Sequence, residues 1–380
     1  MSFITCYHLV SEASAQELAL AIEKLSHSGA KSVLILACDQ DGWNKEWIDP
    51  LLCNCPLPLF GGIFPAIVFN AQVLSRGTLV IGLRDKFDAQ IIENLSDDPA
   101  KFSALISENL SGFGSANSML VIVDGLAKNI ESLVEELFVH LGSSINAIGG
   151  GAGSLDFIQK PIIFSNRGLL KDAAVIAATS TVSSVGVKHG WEILDGPYLV
   201  TESEANCLSA INFQSAFDVY KNSVEKHTDL RFAQEDFFTI AKTYPLGIVS
   251  VDGELLVRDP LKVVGNALIC VGEVPQNSTF YLLKGSNSNL IQASGEAALE
   301  SKQNKNTTDA NTETPSVLMF DCISRQLFLE ADYSLALDSV LSNLDPNSLF
   351  LGALTLGEIA NSTHGPIELL NKTTVVAHFN

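Results

Sequence analysis

Three short apolar runs recur along the chain: SVLILAC (32–38), MLVIVDG (119–125) and VLMFDC (317–322). Each reads as a buried strand that ends at an aspartate, a cysteine or both. Uninterrupted apolar runs of this length belong to strands covered on both faces. Each is followed by a helical stretch, then a glycine-bearing segment, then a strand pair. The first helix precedes its run, where Ser14 and Glu17 form a capping-box pattern and Leu18, Ile22 and Leu25 share a face. A second helix starts near Trp43. In the second unit Ile130, Leu133, Val134, Leu137 and Leu141 form the stripe. In the third it is Leu337, Val340, Leu341 and Leu344.

The glycine segments are LFGGIFPAIVF (59–69), AIGGGAGSLDF (147–157) and LFLGALTLGEIA (349–360). Strands follow them: GTLVIGL (77–83) in the first unit, PIIFSNRG and DAAVIAAT in the second, and a closing hairpin of PIELLNK and TTVVAHF in the third. The pattern predicts an α+β fold of repeated strand–helix–glycine-turn–strand-pair units, in two domains with helices covering β-sheets. The middle of the chain adds strands around 249–259, 265–274 and 278–285 and a helix at 293–301. The domain boundary is placed near residue 198, giving domains 1–198 and 199–380, with 300–316 as a mobile loop of almost no apolar content.

The glycines of 149–153 do not make a phosphate cradle. No Lys follows Gly153, and a helix precedes them where a dinucleotide fingerprint needs a strand. Glycines at matching places in three units predict structural turns that need positive φ or close backbone approach. Gly149, Gly150 and Gly151 can also line a ligand pocket with their backbone.

The formal net charge of −20 repels nucleic acid and anionic membranes. The opening MSFITCYHLVSEAS has no basic residue and no long apolar core, so no targeting segment is predicted. The uncharged stretch 50–75 carries too many prolines and glycines for a spanning helix. Seven cysteines without framework spacing predict reduced, buried thiols in a cytoplasmic protein.

GGGAGS, HGW (189–191), PLGIVSVDGELLVRDP (245–260), FDCISR (320–325), GALTLGEIANS and NKTTVV (to 376) together resemble the FIST family, with paired N and C domains, over most of the chain. The chain departs from the family at GGIFPAI (61–67), where members often carry a GCSTAGE-like turn. That turn, and the segment Asp39–Trp43, resemble the nitric-oxide-sensing haemoproteins, NosP. The resemblance implies a bacterial cytoplasmic sensor, not an enzyme. It would bind haem b and nitric oxide and regulate a partner histidine kinase or cyclic-di-GMP enzyme, and could form a homodimer. FIST domains more broadly imply a metal-free sensor of a small metabolite such as an amino acid.

Haem needs an axial donor in an apolar pocket. His189, next to Gly190 and Trp191 at the domain junction, is the first candidate for the iron, and His364 the second. Cys322, with Arg325 three residues on to lower its pKa, is a candidate ligand, redox sensor or nucleophile of a Cys-dependent hydrolase. Arg258 and Arg325 could pair with a ligand carboxylate or haem propionate, or tie down Asp259 or Glu358. Glu358 either caps a turn or binds a ligand ammonium.

Overall fold

The computed structural model describes residues 2–99, 104–106, 108, 110–250, 253–303, 315–361 and 365–379. The three apolar runs become β2 (Ser32–Cys38), β8 (Ser118–Asp124) and β21 (Ser316–Cys322), each buried along its whole length. Each pairs in parallel with the glycine segment of its own unit: β3 (Leu59–Phe64), β9 (Asn146–Ala152) and β22 (Leu349–Thr355). Helices make the crossovers. They are Lys45–Cys53 in the first unit, Ile130–Leu141 in the second, and Ile323–Leu329 with Tyr333–Asn343 in the third.

The other neighbours are antiparallel. β2 is flanked by β6 (Thr78–Leu83) and then β1 (Ile4–Val10). β8 is flanked by β12 (Ala173–Thr179) and β7 (Asp88–Glu93). β21 is flanked by β25 (Thr374–Phe379) and β13 (Ser183–Lys188). The Ser14 hydroxyl caps the helix Ala15–His27 by accepting from the Glu17 N–H, as its sequence predicts.

The short strand pairs leave home. β4 (Ala66–Phe69) and β5 (Gln72–Leu74), which follow β3, pair onto β22 of the third sheet. β10 (Ile163–Ser165) and β11 (Gly168–Leu170), which follow β9, pair onto β3 of the first. β23 (Glu358–Asn361) and β24 (Ile367–Leu370), which follow β22, pair onto β9 of the second. The result is three six-stranded sheets that exchange hairpins in a ring. The predicted closing hairpin is therefore corrected: β24 and β25 lie in different sheets, because the link Asn371–Thr373, with Lys372 at φ +55°, steps from one to the other.

The predicted glycine turns are corrected as well. They are strands at the place where the three sheets meet. A Cβ on Gly61, Gly149 or Gly352 would fall 2.0, 1.8 or 2.2 Å from the carbonyl oxygen of Ile35, Val121 or Met319. In each case that residue is the glycine's partner on the adjacent strand. A Cβ on Gly62 would sit 3.0 Å from Ala152 of the second sheet. The glycines thus serve close approach of backbone to backbone, one of the two reasons anticipated for them.

A fourth sheet has seven strands: β14 (Glu192–Glu204), β20 (Thr279–Lys284), β17 (Leu246–Val249), β18 (Leu255–Val264), β19 (Ala267–Val271), β15 (Cys207–Ile211) and β16 (Gln214–Ser215). Pairing of β14 with β15 closes it into a barrel. Helices Ala216–Val224 and Phe237–Ala241 complete its core through Tyr220, Val224 and Ile240. β14 runs without a break through residue 198. Helix Asn287–Gln303 packs beside β13 and β25. It includes 300–303, and β21 begins at Ser316; most of the segment assigned as a mobile loop lies outside the described residues.

Candidate functional site

The third unit brings most of the predicted site residues to one place. β9 seats the crossover from β22 to β23 through its bare backbone. Leu356 N–H donates to the Gly151 carbonyl and Gly151 N–H to the Gly357 carbonyl, both at 2.8 Å. A Cβ on Gly150 would stand 2.6 Å from Gly357 O, and one on Gly151 2.5 Å from Leu356 O. Gly149, Gly150 and Gly151 are therefore filled by protein.

Asp321, on β21, and Arg325, in the helix that follows, are fully buried, with Arg325 Nε 2.9 Å from Asp321 Oδ1. The N–H is not aligned for a hydrogen bond, so the contact is ionic. The remaining nitrogens are directed: NH1 donates to the His189 carbonyl at 2.7 Å, and NH2 to Leu290 O at 2.9 Å and Ser294 Oγ at 2.7 Å. Asp321 accepts from Tyr333 OH at 2.6 Å and Thr374 Oγ1 at 2.8 Å. Burial still pushes the Asp321 carboxyl above its ordinary value. Arg325 joins β21, the helix at 287–303 and the β13–β14 link. Three of its five N–H groups are taken by protein oxygens, and its charge faces Asp321.

Glu358 opens β23 and is fully buried. Burial raises its carboxyl well above the ordinary range. Thr355 Oγ1 donates to Oε1 at 2.7 Å, with Asp321 O 3.2 Å away as a second acceptor, and Thr373 N–H donates to Oε2 at 3.2 Å. Burial outweighs these donors and favours the neutral form. A neutral acid held this way closes a turn and offers no charge to a ligand ammonium.

Cys322 ends β21 with its Sγ 3.0 Å from Ser324 Oγ. Burial first, and Glu358 second, push the thiol up to about 12. The predicted activation by Arg325 is overturned in direction, since the guanidinium turns to Asp321 instead. Across the chain Cys38, Cys270 and Cys322 are buried, Cys53 is exposed, and all seven cysteines are free.

Arg258 is also buried, but it binds carbonyls: Glu273 O at 2.8 Å, Leu369 O at 3.1 Å and Val257 O at 3.2 Å. Asp259, its neighbour, is held by a residue that the sequence reading did not single out. Lys372 is fully buried, with Nζ 3.0 Å from Asp259 Oδ2 and 3.1 Å from Lys242 O. It lies 4.9 Å from the ring centre of Trp191, whose Nε1 donates to Lys372 O at 3.2 Å. The signal was present: a lysine inside the near-apolar run IELLNKTTVVAHF must be paired or snorkel. Two buried polar atoms have no protein partner here: the acceptor Asp259 Oδ1, on this ion pair, and the donor Asn371 Nδ2, on the residue before Lys372. Both side chains are at least 97% buried.

His189 tests the haem expectation. Its Nδ1 accepts the Trp191 N–H at 2.9 Å. Burial, with Arg325 and Lys188 nearby, pushes the imidazole down to about 4, so the ring is neutral. With Nδ1 accepting, the proton sits on Nε2, and neither nitrogen presents a lone pair to iron. His189 does not fit an axial role in this arrangement. His364 lies outside the described residues. Among the described residues no group of three His, Cys, Asp or Glu is placed to hold a metal ion.

Two surface clefts lie away from this junction. One of about 660 Å³ is lined by Trp43, Asp49, Pro50 and Lys160, among others. The other, of about 730 Å³, is lined by Cys55, Pro56 and Asn166 among others. Both are open to solvent.

The FIST N domain model matches residues 32–214 and the FIST C domain model residues 216–361. No curated protein matches the chain. No helix among the described residues is long and apolar enough to cross a membrane.

Proposed function

The chain belongs to the FIST family, whose domains are sensory ligand-binding domains, and on that premise we propose that it senses a small polar metabolite without a metal. The observation that carries this reading is two buried, unpartnered atoms: Asp259 Oδ1, which accepts and belongs to the Lys372 ion pair, and Asn371 Nδ2, which donates and precedes Lys372 in the chain. Leaving such groups bare costs about 1–3 kcal/mol each. A ligand that offers both an N–H donor and a carboxyl or carbonyl acceptor, as an amino acid does, satisfies both. The Lys372–Asp259 pair joins the link between β24 and β25 to β18 of the barrel, so a ligand there touches both parts of the C-terminal domain.

The enzyme alternative lacks support at Cys322. Its thiol stays protonated at neutral pH, and its near polar neighbour is a serine. The chain acts as a cytoplasmic receiver whose output passes to a partner signalling protein, a histidine kinase or cyclic-di-GMP enzyme.

The test is a thermal-shift screen with each of the twenty amino acids, on wild type, Asp259→Asn and Asn371→Ala. At 100 times Kd a ligand stabilises by about 2.7 kcal/mol. A saturable shift in wild type that both variants lose supports the reading. Unshifted melting throughout means that water fills the site, and overturns it. Haemin is added in parallel, then reductant and nitric oxide. A sharp saturable Soret band that moves with nitric oxide would replace the metal-free reading with the haem one.

A further inference from the structure

The link from β9 to β10 turns outward and carries Leu155, Phe157 and Ile158, which are 47%, 56% and 64% exposed. None of the three belongs to a core cluster. The backbone beneath them is fixed. Asp156 accepts from Ile158 N–H at 2.8 Å and from Ser154 Oγ. Lys160 Nζ bridges Asp156 at 3.2 Å and Asp39 at 2.7 Å. Gln159 Nε2 donates to the buried Asp124 Oδ2 at 2.9 Å. Phe157 has φ +52°, a region that bulky residues rarely enter. Polar contacts at both ends of the loop hold three apolar side chains in water.

The surface continues from the loop. Lys160 and Pro161 line the cleft of about 660 Å³ together with Trp43 and Pro50. Trp47, 39% exposed, lies 5.3 Å from Trp43 between ring centres. The charges around this face are unequal. Asp39, Glu46, Asp49 and Asp156 surround it, and its two lysines are already engaged, Lys45 with Asp49 at 3.9 Å and Lys160 with two aspartates. The whole chain carries −20. A second copy would bring the same acidic rim and be repelled.

We propose that the loop 154–160 and the adjoining cleft form a docking face for a partner-protein segment that presents apolar side chains flanked by lysine or arginine. The apolar side chains of the partner cover Phe157, Ile158 and the Trp43 wall, and its cations meet the carboxylate rim. This inference stands apart from the ligand site and does not depend on its occupant.

The test uses a fluorescein-labelled fourteen-residue peptide of leucine and lysine with leucines at helical spacing, and its leucine–glutamate counterpart. Anisotropy titrations at physiological salt compare wild type with Phe157→Ser/Ile158→Ser. Both side chains lie outside the cores, so the double variant should melt with wild type. The expected result is saturable binding of the lysine peptide, weakened at least tenfold in the variant, and no binding of the glutamate peptide. No binding to wild type, equal affinity for the two proteins, or binding of the glutamate peptide overturns the proposal. So does a wild-type dimer that the double variant turns to monomer in sedimentation, because the face then belongs to a second copy.

Discussion

The crossovers that leave the second and third glycine strands start alike and end differently. Register places Asp124 and Cys322 at equivalent strand ends, paired with Ala152 and Thr355. From there the second crossover runs from Gly153 to Ile162 and turns into solvent, whereas only Leu356 and Gly357 separate β22 from β23, and both are buried. The carboxyls beside them follow suit. Asp124 accepts only from N–H donors: Leu126 N, Asp172 N and Gln159 Nε2. Glu358 accepts from the Thr355 hydroxyl and the Thr373 N–H, and burial favours its protonated form. One topology thus builds a braced outer loop in one unit and a dry inner turn in the next, and crossover length decides which.

The comparison breaks first at what the two crossovers share. Gly149 lies in the strand that feeds one and seats the other. Gly149→Val is expected to cost ~4 kcal/mol or more, because its side chain meets the Val121 carbonyl. Urea unfolding with a midpoint near wild type would mean that the sheets can part. Arg325→Met leaves the buried Asp321 without its counter-ion, at a cost of about 3–5 kcal/mol. The double variant with Asp321→Asn should regain part of that loss.

The dryness of the third crossover can be read by pH. His189 is neutral when folded down to about 4, whereas an unfolded histidine takes a proton near 6.5. The unfolded state therefore binds more protons between these values, and stability falls as pH drops through that window by on the order of 2 kcal/mol. His189→Asn keeps an acceptor for Trp191 N–H and should flatten that slope. An unchanged slope would place the acid-sensitive group elsewhere.

A matched amide swap separates the two carboxyls. The folded state holds a proton on Glu358 that the unfolded state releases above ~4.3, so wild type loses stability as pH rises. Glu358→Gln should be more stable than wild type at pH 8 by about 1 kcal/mol, with the gain shrinking toward pH 5. Asp124→Asn turns an amide donor toward N–H donors and should cost about 1–3 kcal/mol. Effects of one sign in both variants would erase the distinction. The smallest effect is expected at the exposed loop, where Phe157→Ser should leave stability within about 0.5 kcal/mol in the same denaturant titration.

Much of this is visible in the residues. The apolar runs that became β2, β8 and β21, the Ser14 cap and the helix stripe from Ile130 read directly, because each rests on contacts within a few residues. The exchange of hairpins does not read, since PIELL and TTVVAHF look like neighbours and the sequence carries no mark of which sheet each joins. The glycine segments looked like turns because glycine is poor in strands, and only the meeting of three sheets explains them. At the site, Arg325, Cys322 and Glu358 were visible as unusual residues in apolar settings. Their roles were not, because a buried charge announces that it has a partner without saying whether that partner is protein or ligand.

The ring of exchanged hairpins also governs the order in which the chain can be assembled. β4 lies early, yet Ile67 pairs with Ala353. Only the first sheet has all its strands once Leu170 has been made. Until β22 to β25 arrive, β4 and β9 present open edges, a hazard for aggregation during synthesis. Such distant pairings also slow folding. A chain divided between the two matched domains leaves those edges bare on the N-terminal piece, so separate expression of the halves is expected to yield insoluble protein that co-expression rescues.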